Sequence, residues 1–305
     1  MPPQTLNAFT VDVEDYFHVS AFEGLFPRER WDDVPLRIDR GVREILDIAS
    51  EAGTTGTFYV LGWLARRRPD LVRAIADAGH EIGCHSLEHR LVYSMTPDSF
   101  RSDLRQALSA IRDASGTDCT LYRSPSFSIT LESLWALEIL AEEGILIDSS
   151  IYPVKHDRYG MVAAPLGPFR PLRHHPQFVE FPPSAVRLLG ANLPCAGGGY
   201  LRAFPLVLTR SAIRRINERE GRPALVYVHP WELDPAQPKV PAGILKNLRH
   251  RLNLRKTSER LRSLLHDFAF APLSVVIATL GGPSAIPFED LAGSGHGPGA
   301  LRGEA

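Results

Sequence analysis

A chain of 305 residues, 44% hydrophobic and 23% charged, has the composition of an ordinary globular protein. Its formal net charge of -1 lacks the basic excess of a general nucleic-acid binder, so no nucleic-acid partner is expected. Three widely spaced cysteines, Cys84, Cys119 and Cys195, form no CxxC pair and read as reduced thiols. Residues 1–7 carry neither a basic nor an apolar signal region, and no run approaches the roughly 18 apolar residues of a membrane span. A cytoplasmic protein is the expectation.

Short apolar runs alternate with longer helical patterns, which favours a parallel sheet. Strands are predicted at 9–13 and 57–61, with a helix over 42–52 closed by Gly53 between them. Pro69 opens a helix that ends near Gly79, and residues 80–84 lead into another strand end. Thr96, Pro97 and Asp98 mark a helix start, as a side-chain cap, a proline at the first position and an acid in the first turn; Gly116 stops it. A brief strand at 121–122, a helix from Thr130 through 143 and a strand at 145–147 follow. Residues 152–205 are rich in Pro, Gly and His and read as long loops with a short strand at 178–181. A helix over 206–220 precedes a strand at 224–228. Pro235, Pro238 and Pro241 then mark a turn region, followed by a basic segment over 246–262 and a last strand over 274–280. No internal repeat is visible.

Five polar constellations sit at the ends of these strands. His85 and His89, four apart in HSLEH, would fall on one face of a helical turn and reach one cation. Asp12, Glu14 and Asp15 crowd three carboxylates into four residues, which repel unless something positive lies among them. With the two histidines they make a two-histidine, one-carboxylate site, one acid binding metal and another acting as base. Arg123, in RSPSF, can hold a catalytic carboxylate by paired hydrogen bonds. Asp148, in DSS, and His229, in VHPWE, complete the set. Cys84 reads as a packed strand residue.

In this order the five sets resemble the NodB-homology (carbohydrate esterase family four) polysaccharide deacetylases, whose motifs TFDD, HSxxH, RxPF, DxS and LxH they match in turn across residues 10–231. The stretches DVEDYFHVSAFE, GGGYLRAFP and VHPWELDPAQP are similar to the subfamily found in exopolysaccharide and PEP-CTERM/exosortase gene clusters. The resemblance implies an α/β fold, a distorted (β/α) barrel over 1–238, with a C-terminal extension over 239–280 packed on it and a disordered tail over 281–305. It implies a divalent metal, zinc by preference, held by His85, His89 and either Glu14 or Asp15, since the family's adjacent acid pair is replaced here by Asp12-x-Glu14-Asp15. Asp12 takes the base role, held by Arg123; His229 is the acid, oriented by Asp148; a backbone amide near Ser126 meets the developing oxyanion. Tyr200 and Trp231 are candidates for sugar stacking, and Gly197, Gly198 and Gly199 for close approach to substrate.

The implied activity is removal of acetyl groups from N-acetylated sugars of an exopolysaccharide or its precursor. Two other readings stay open: hydrolysis of a small cyclic amide on the same fold, and a non-catalytic glycan-binding relative. The segment over 246–262 interleaves Lys246, Arg249, Arg251, Arg255, Lys256, Arg260 and Arg262 with five leucines, Leu245, Leu248, Leu252, Leu254 and Leu261. It either packs its leucines on the barrel or rests weakly on an anionic inner leaflet, where the substrate would be a lipid-linked glycan precursor.

Overall fold

The computed structural model describes residues 5–156 and 158–288. In chain order the regular elements are β1 (Asn7–Val13), α1 (Ile38–Glu51), β2 (Thr57–Val60), α2 (Gly62–Arg67), α3 (Pro69–Asp77), β3 (Glu81–Cys84) and α4 (Pro97–Ser115). Next come β4 (Leu121–Tyr122), α5 (Trp135–Glu142), β5 (Ile147–Asp148), β6 (Phe169–Arg170), β7 (Val179–Glu180), β8 (Ala185–Leu188), β9 (Ala191–Pro194), α6 (Gly198–Ala203) and α7 (Leu206–Arg214). The last are β10 (Leu225–Val228), α8 (Ile244–Arg251), α9 (Leu254–Asp267), β11 (Phe270–Ala271), α10 (Leu273–Ala278) and β12 (Ser284–Ala285).

Ten strands make one curled sheet in the order β10-β1-β2-β3-β4-β5-β7-β6-β12, with β11 also pairing β1. All pairings are parallel except β6 with β7. Among the described residues no pairing joins β12 to β10, so the expected barrel is a half-barrel with an open side.

Period-2 alternation sorts the strand residues onto two faces. Phe9, Val11, Phe58, Val60, Cys84, Tyr122, Val226 and Val228 belong to the core under the helices, where α1 adds Ile38, Val42, Ile45 and Ile48. Ala8, Tyr59, Leu121, Ile147, Leu225 and Tyr227 belong to a second cluster on the concave face. This parity decides which polar residue at each strand end enters the cleft. α1 packs tightly under the turn after β10: a Cβ on Gly41 would lie 2.0 Å from the carbonyl oxygen of Pro230.

Where the signals are local, sequence and structure agree closely. Thr96 accepts from the Ser99 amide at the head of α4, and Gly116 closes the helix at φ 79°. Three expectations need correction. Residues 274–280 are not a strand: α10 buries Leu273 and Val276, three apart, while Val275 is 46% exposed, a helical spacing in a β-branched run too short for periodicity to settle. The neighbour β1 gains is β11. Residues 152–205 hold more than loops, including the β8–β9 hairpin and α6. Within the expected tail, β12 pairs β6 through Ser284 and Ala285; residues 289–305 lie outside the described residues.

The basic segment divides in two. On α9, Leu254 and Leu261 are buried, whereas Ile244, Leu245 and Leu248 on α8 are 90%, 63% and 62% exposed. Among the described residues no helix is long and apolar enough to cross a membrane.

Candidate active site

At the carboxyl ends of β1, β4 and β5 lies a fully buried guanidinium. Arg123 donates from Nη1 to Asp12 Oδ1 at 2.6 Å and to Thr10 Oγ1 at 2.9 Å. Its Nε and Nη2 donate to the carbonyl and hydroxyl of Ser149, at 3.3 and 2.9 Å, and Tyr59 stacks beneath it at 4.3 Å. Leu121 and Arg123 share strand parity, as do Ala8, Thr10 and Asp12, so both charges face the cleft. Asp12 Oδ2 points on toward His229 Nε2, 3.8 Å away.

Glu14 Oε1 lies 2.9 Å from His85 Nε2 and 2.9 Å from His89 Nε2, all three residues being buried. His85 Nδ1 contacts the Arg123 carbonyl at 2.7 Å. A carbonyl only accepts, so Nδ1 carries a proton, and in that tautomer Nε2 presents its lone pair to a carboxylate oxygen. Two acceptors at that separation need a cation or a proton between them, and the donor set suits a divalent ion bonded at about 2 Å. The arrangement selects Glu14 from the open pair. Both Asp15 oxygens are occupied by backbone amides: Oδ1 by Tyr16, and Oδ2 by Arg37 and Ile38 at 2.6 and 2.9 Å, capping the unsatisfied start of α1. Burial lifts the Asp15 carboxyl to about 6.

The expected helical turn at 85–89 is absent. Ser86 and His89 adopt left-handed backbone, at φ 66° and 56°, and a pinned loop brings the imidazoles together. The amides of Gly62 and Trp63 donate to the carbonyls of Ser86 and Leu87, and Arg28 donates to those of Glu88 and His89. Cys84 is wholly buried.

Across the cleft, His229 Nδ1 meets Glu232 Oε2 at 3.1 Å, and Glu232 Oε1 accepts from Arg202 Nε at 2.6 Å. Arg202 in turn donates from Nη1 to the carbonyls of His250 and Leu252, both at 2.9 Å, tying α6 to the α8–α9 junction. Burial alone would lower the His229 imidazole, but the charge and hydrogen bond of Glu232, with Glu14 and Asp12 beyond, raise it to about 9. Burial opposes the Glu232 charge too, yet Arg202 and His229 bring that carboxyl to about 2.

The expectation that Asp148 orients His229 is therefore corrected. Ile147 faces the concave side, so Asp148 points to the opposite face of the sheet. There it accepts from Ser150 Oγ at 2.5 Å and lies beside buried Glu180, and burial raises both carboxyls. Trp231 is no open platform either: it is 7% exposed and stacks between His229, at 5.4 Å, and His250, at 4.3 Å. Tyr200 hydroxyl pairs with Tyr159 hydroxyl at 3.3 Å. Gly197 makes room for a ring rather than for substrate, since a Cβ there would lie 2.0 Å from the Tyr227 ring. Ser126 sits at the cleft rim, with φ 52° and its Oγ 2.7 Å from Ser20 Oγ.

Sequence reasoning missed Glu232, Arg202 and His18. Glu232 was legible three residues after His229, with Pro230 between to start a turn that folds one onto the other. His18 is buried among Phe17, Trp31 and Trp63 and accepts the Asp15 amide at Nδ1.

Residues 30–141 match the family model described as polysaccharide deacetylase. Over those residues the chain is similar to the polysaccharide deacetylases. Residues 149–278 match a second model, a domain of unknown function named DUF3473. Peptidoglycan-N-acetylmuramic acid deacetylase PdaA of Bacillus subtilis is 30% identical over 82 residues, covering 27% of this chain and 31% of that protein. A peptidoglycan-N-acetylglucosamine deacetylase of Bacillus cereus is 29% identical over 132 residues, covering 41% of this chain and 46% of the relative. The matches thus span less than half the length of these relatives. A solved structure from Mycobacterium smegmatis, described as a polysaccharide deacetylase, superposes with a TM-score of 0.60 at 20% identity over 96% of this chain and 91% of its own, which shows the shared fold.

The geometry of this site predicts how His229 titrates. Its raised pKa means that the stability it contributes is complete below the unfolded value of about 6.5 and is lost as pH rises through about 9. By NMR, Glu232→Gln should lower the His229 midpoint by at least about one unit, while Asp148→Asn leaves it in place. The reverse pattern would restore Asp148 as the orienting acid.

Proposed function

We propose that this chain hydrolyses the amide of N-acetylated sugar residues in an exopolysaccharide or its precursor, releasing acetate and a free amine. One observation carries the reading: Asp12, clamped by Arg123, stands 3.8 Å from His229 and two residues before Glu14 of the Glu14–His85–His89 cluster. Relatives named as peptidoglycan and chitooligosaccharide deacetylases support the substrate class.

A divalent cation held by Glu14, His85 and His89, zinc by the chemistry of its donors, would polarise the acetamide carbonyl and lower the pKa of water in the cleft. Asp12 takes the proton from the attacking water at Oδ2, because Arg123 occupies Oδ1 and keeps the carboxylate oriented. A backbone amide at Ser126 would meet the oxygen that gains charge. As the carbon–nitrogen bond breaks, His229 gives its Nε2 proton to the departing amine; Glu232 on Nδ1 stabilises the imidazolium that must be present beforehand. Asp12 then holds the proton taken from water, and its return to His229 across 3.8 Å resets the pair.

Purified protein should release acetate from chito-oligosaccharides. His85→Ala, His89→Ala and Glu14→Gln should each bind well below one equivalent of metal by elemental analysis. Asp15→Asn should keep it, and Asp12→Asn should keep it while losing roughly 10²–10⁴ in kcat. Full occupancy in His85→Ala would remove the metal assignment. The finer reading, a cytoplasmic enzyme acting on a lipid-linked precursor with weak attachment to an anionic membrane, is supported by the exposed apolar residues of α8. Sedimentation with anionic vesicles tests it: binding at low salt that fades at high salt is expected, and none at low salt contradicts it.

A further inference from the structure

A cavity of about 420 Å³ opens between the turn after β1, the loop after β5, α6 and α8, with Ser126 and Trp231 on its wall. It therefore adjoins the catalytic groups, Trp231 being stacked on His229. Among the described residues that line it, four are Arg or Lys and none is Asp or Glu. Arg202 is neutralised by Glu232 at 2.6 Å. Three exposed cations remain: Arg158 from the loop after β5, and Lys246 and Arg249 from α8. Glu23, on the neighbouring turn, is already paired with Arg28 at 2.6 Å. Lys246 Nζ donates to the Ala21 carbonyl at 3.4 Å, which holds its ammonium against the rim.

A chain of net charge -1 that gathers three cations around one cleft, with no carboxylate among the described residues lining it, has concentrated positive charge where a ligand enters. The outward side of the same helix is apolar, through Ile244, Leu245 and Leu248, so the cations are directed at the cleft. Guanidinium forks match planar oxyanions and pair with them bidentately, which a neutral sugar hydroxyl cannot reciprocate.

We propose that the cleft selects an anionic glycan, in which a carboxylate or phosphate near the N-acetylated sugar is bound by Arg158, Lys246 and Arg249. This rests on the deacetylase reading above and names its substrate class. An anion at that rim fixes the register of the polymer, so that the sugar next to the charged group is the one presented to Asp12 and His229. Because the cations are exposed, the selectivity weakens with salt.

The test compares three oligosaccharides of equal length: neutral N-acetylglucosamine, N-acetylglucosamine alternating with a uronic acid, and the neutral oligomer with a reducing-end phosphodiester. Binding is measured calorimetrically and acetate release is followed in parallel. At low salt an anionic oligomer should bind about tenfold tighter than the neutral one or better, with the advantage shrinking as salt rises. The preferred arm tells a carboxylate from a phosphate. In an Arg158→Ala/Arg249→Ala variant of unchanged melting temperature the ratio should collapse toward one, and in Arg249→Glu it should invert. Equal affinity for all three oligomers in the wild type would overturn the proposal whatever the turnover. Tight binding of the anionic oligomer without acetate release from any of them would keep this inference and sink the deacetylase reading instead.

Discussion

A guanidinium with no exposed surface at the mouth of a parallel sheet is the constraint from which the rest of the site follows. Burying a charge costs several kcal/mol unless it is paired and every donor is used. Arg123 meets that requirement only with Asp12 and Thr10 from β1, Ser149 after β5 and the ring of Tyr59 from β2 in place together. Its own carbonyl fixes the ring of His85. One residue thus orders the proposed base through its side chain and a proposed cation ligand through its backbone, and disturbing it would unsettle both at once.

The opposite wall comes from the other part of the chain. Asp12, Glu14, His85 and Arg123 precede residue 149, whereas Arg202, His229 and Glu232 lie within the segment matched by the domain of unknown function. That segment also supplies β7, β10 and β11 to the same sheet and, through α8 and α9, the carbonyls that hold Arg202. Its physical task is legible without a name: it brings an imidazole paired with a buried acid to within 3.8 Å of Asp12. The cations of α8 belong to the same segment, so His229 and the basic rim of the cleft share one structural support.

Most of the fold could be read from the sequence because its signals are local. The capped helix 97–115 and the strand-end positions of Asp12, His85, Arg123 and His229 needed only short-range pattern and spacing. What could not be read depends on facts no local pattern carries. β5 is two residues long, so whether Asp148 or Ser149 enters the cleft turns on a register set by β4 and β7. The left-handed residues Ser86 and His89 replace a helical turn with a loop, and pattern alone favours the helix for an i, i+4 pair. Asp15 looked equivalent to Glu14 until α1, more than twenty residues on, claimed its oxygens. Residues 274–280 show the limit of composition, since a run of β-branched residues folded as a helix where Leu273 and Val276 find a buried face.

The central claim is that Glu14, His85 and His89 form one cation site whose geometry is set by Arg123. X-ray absorption at the metal edge, on protein loaded with one equivalent of zinc, addresses it most directly. The account predicts two imidazole nitrogens and one carboxylate oxygen at about 2.0–2.2 Å, with the multiple-scattering signature of a histidine removed in His85→Ala. A shell containing sulfur, or one without imidazole, would contradict it.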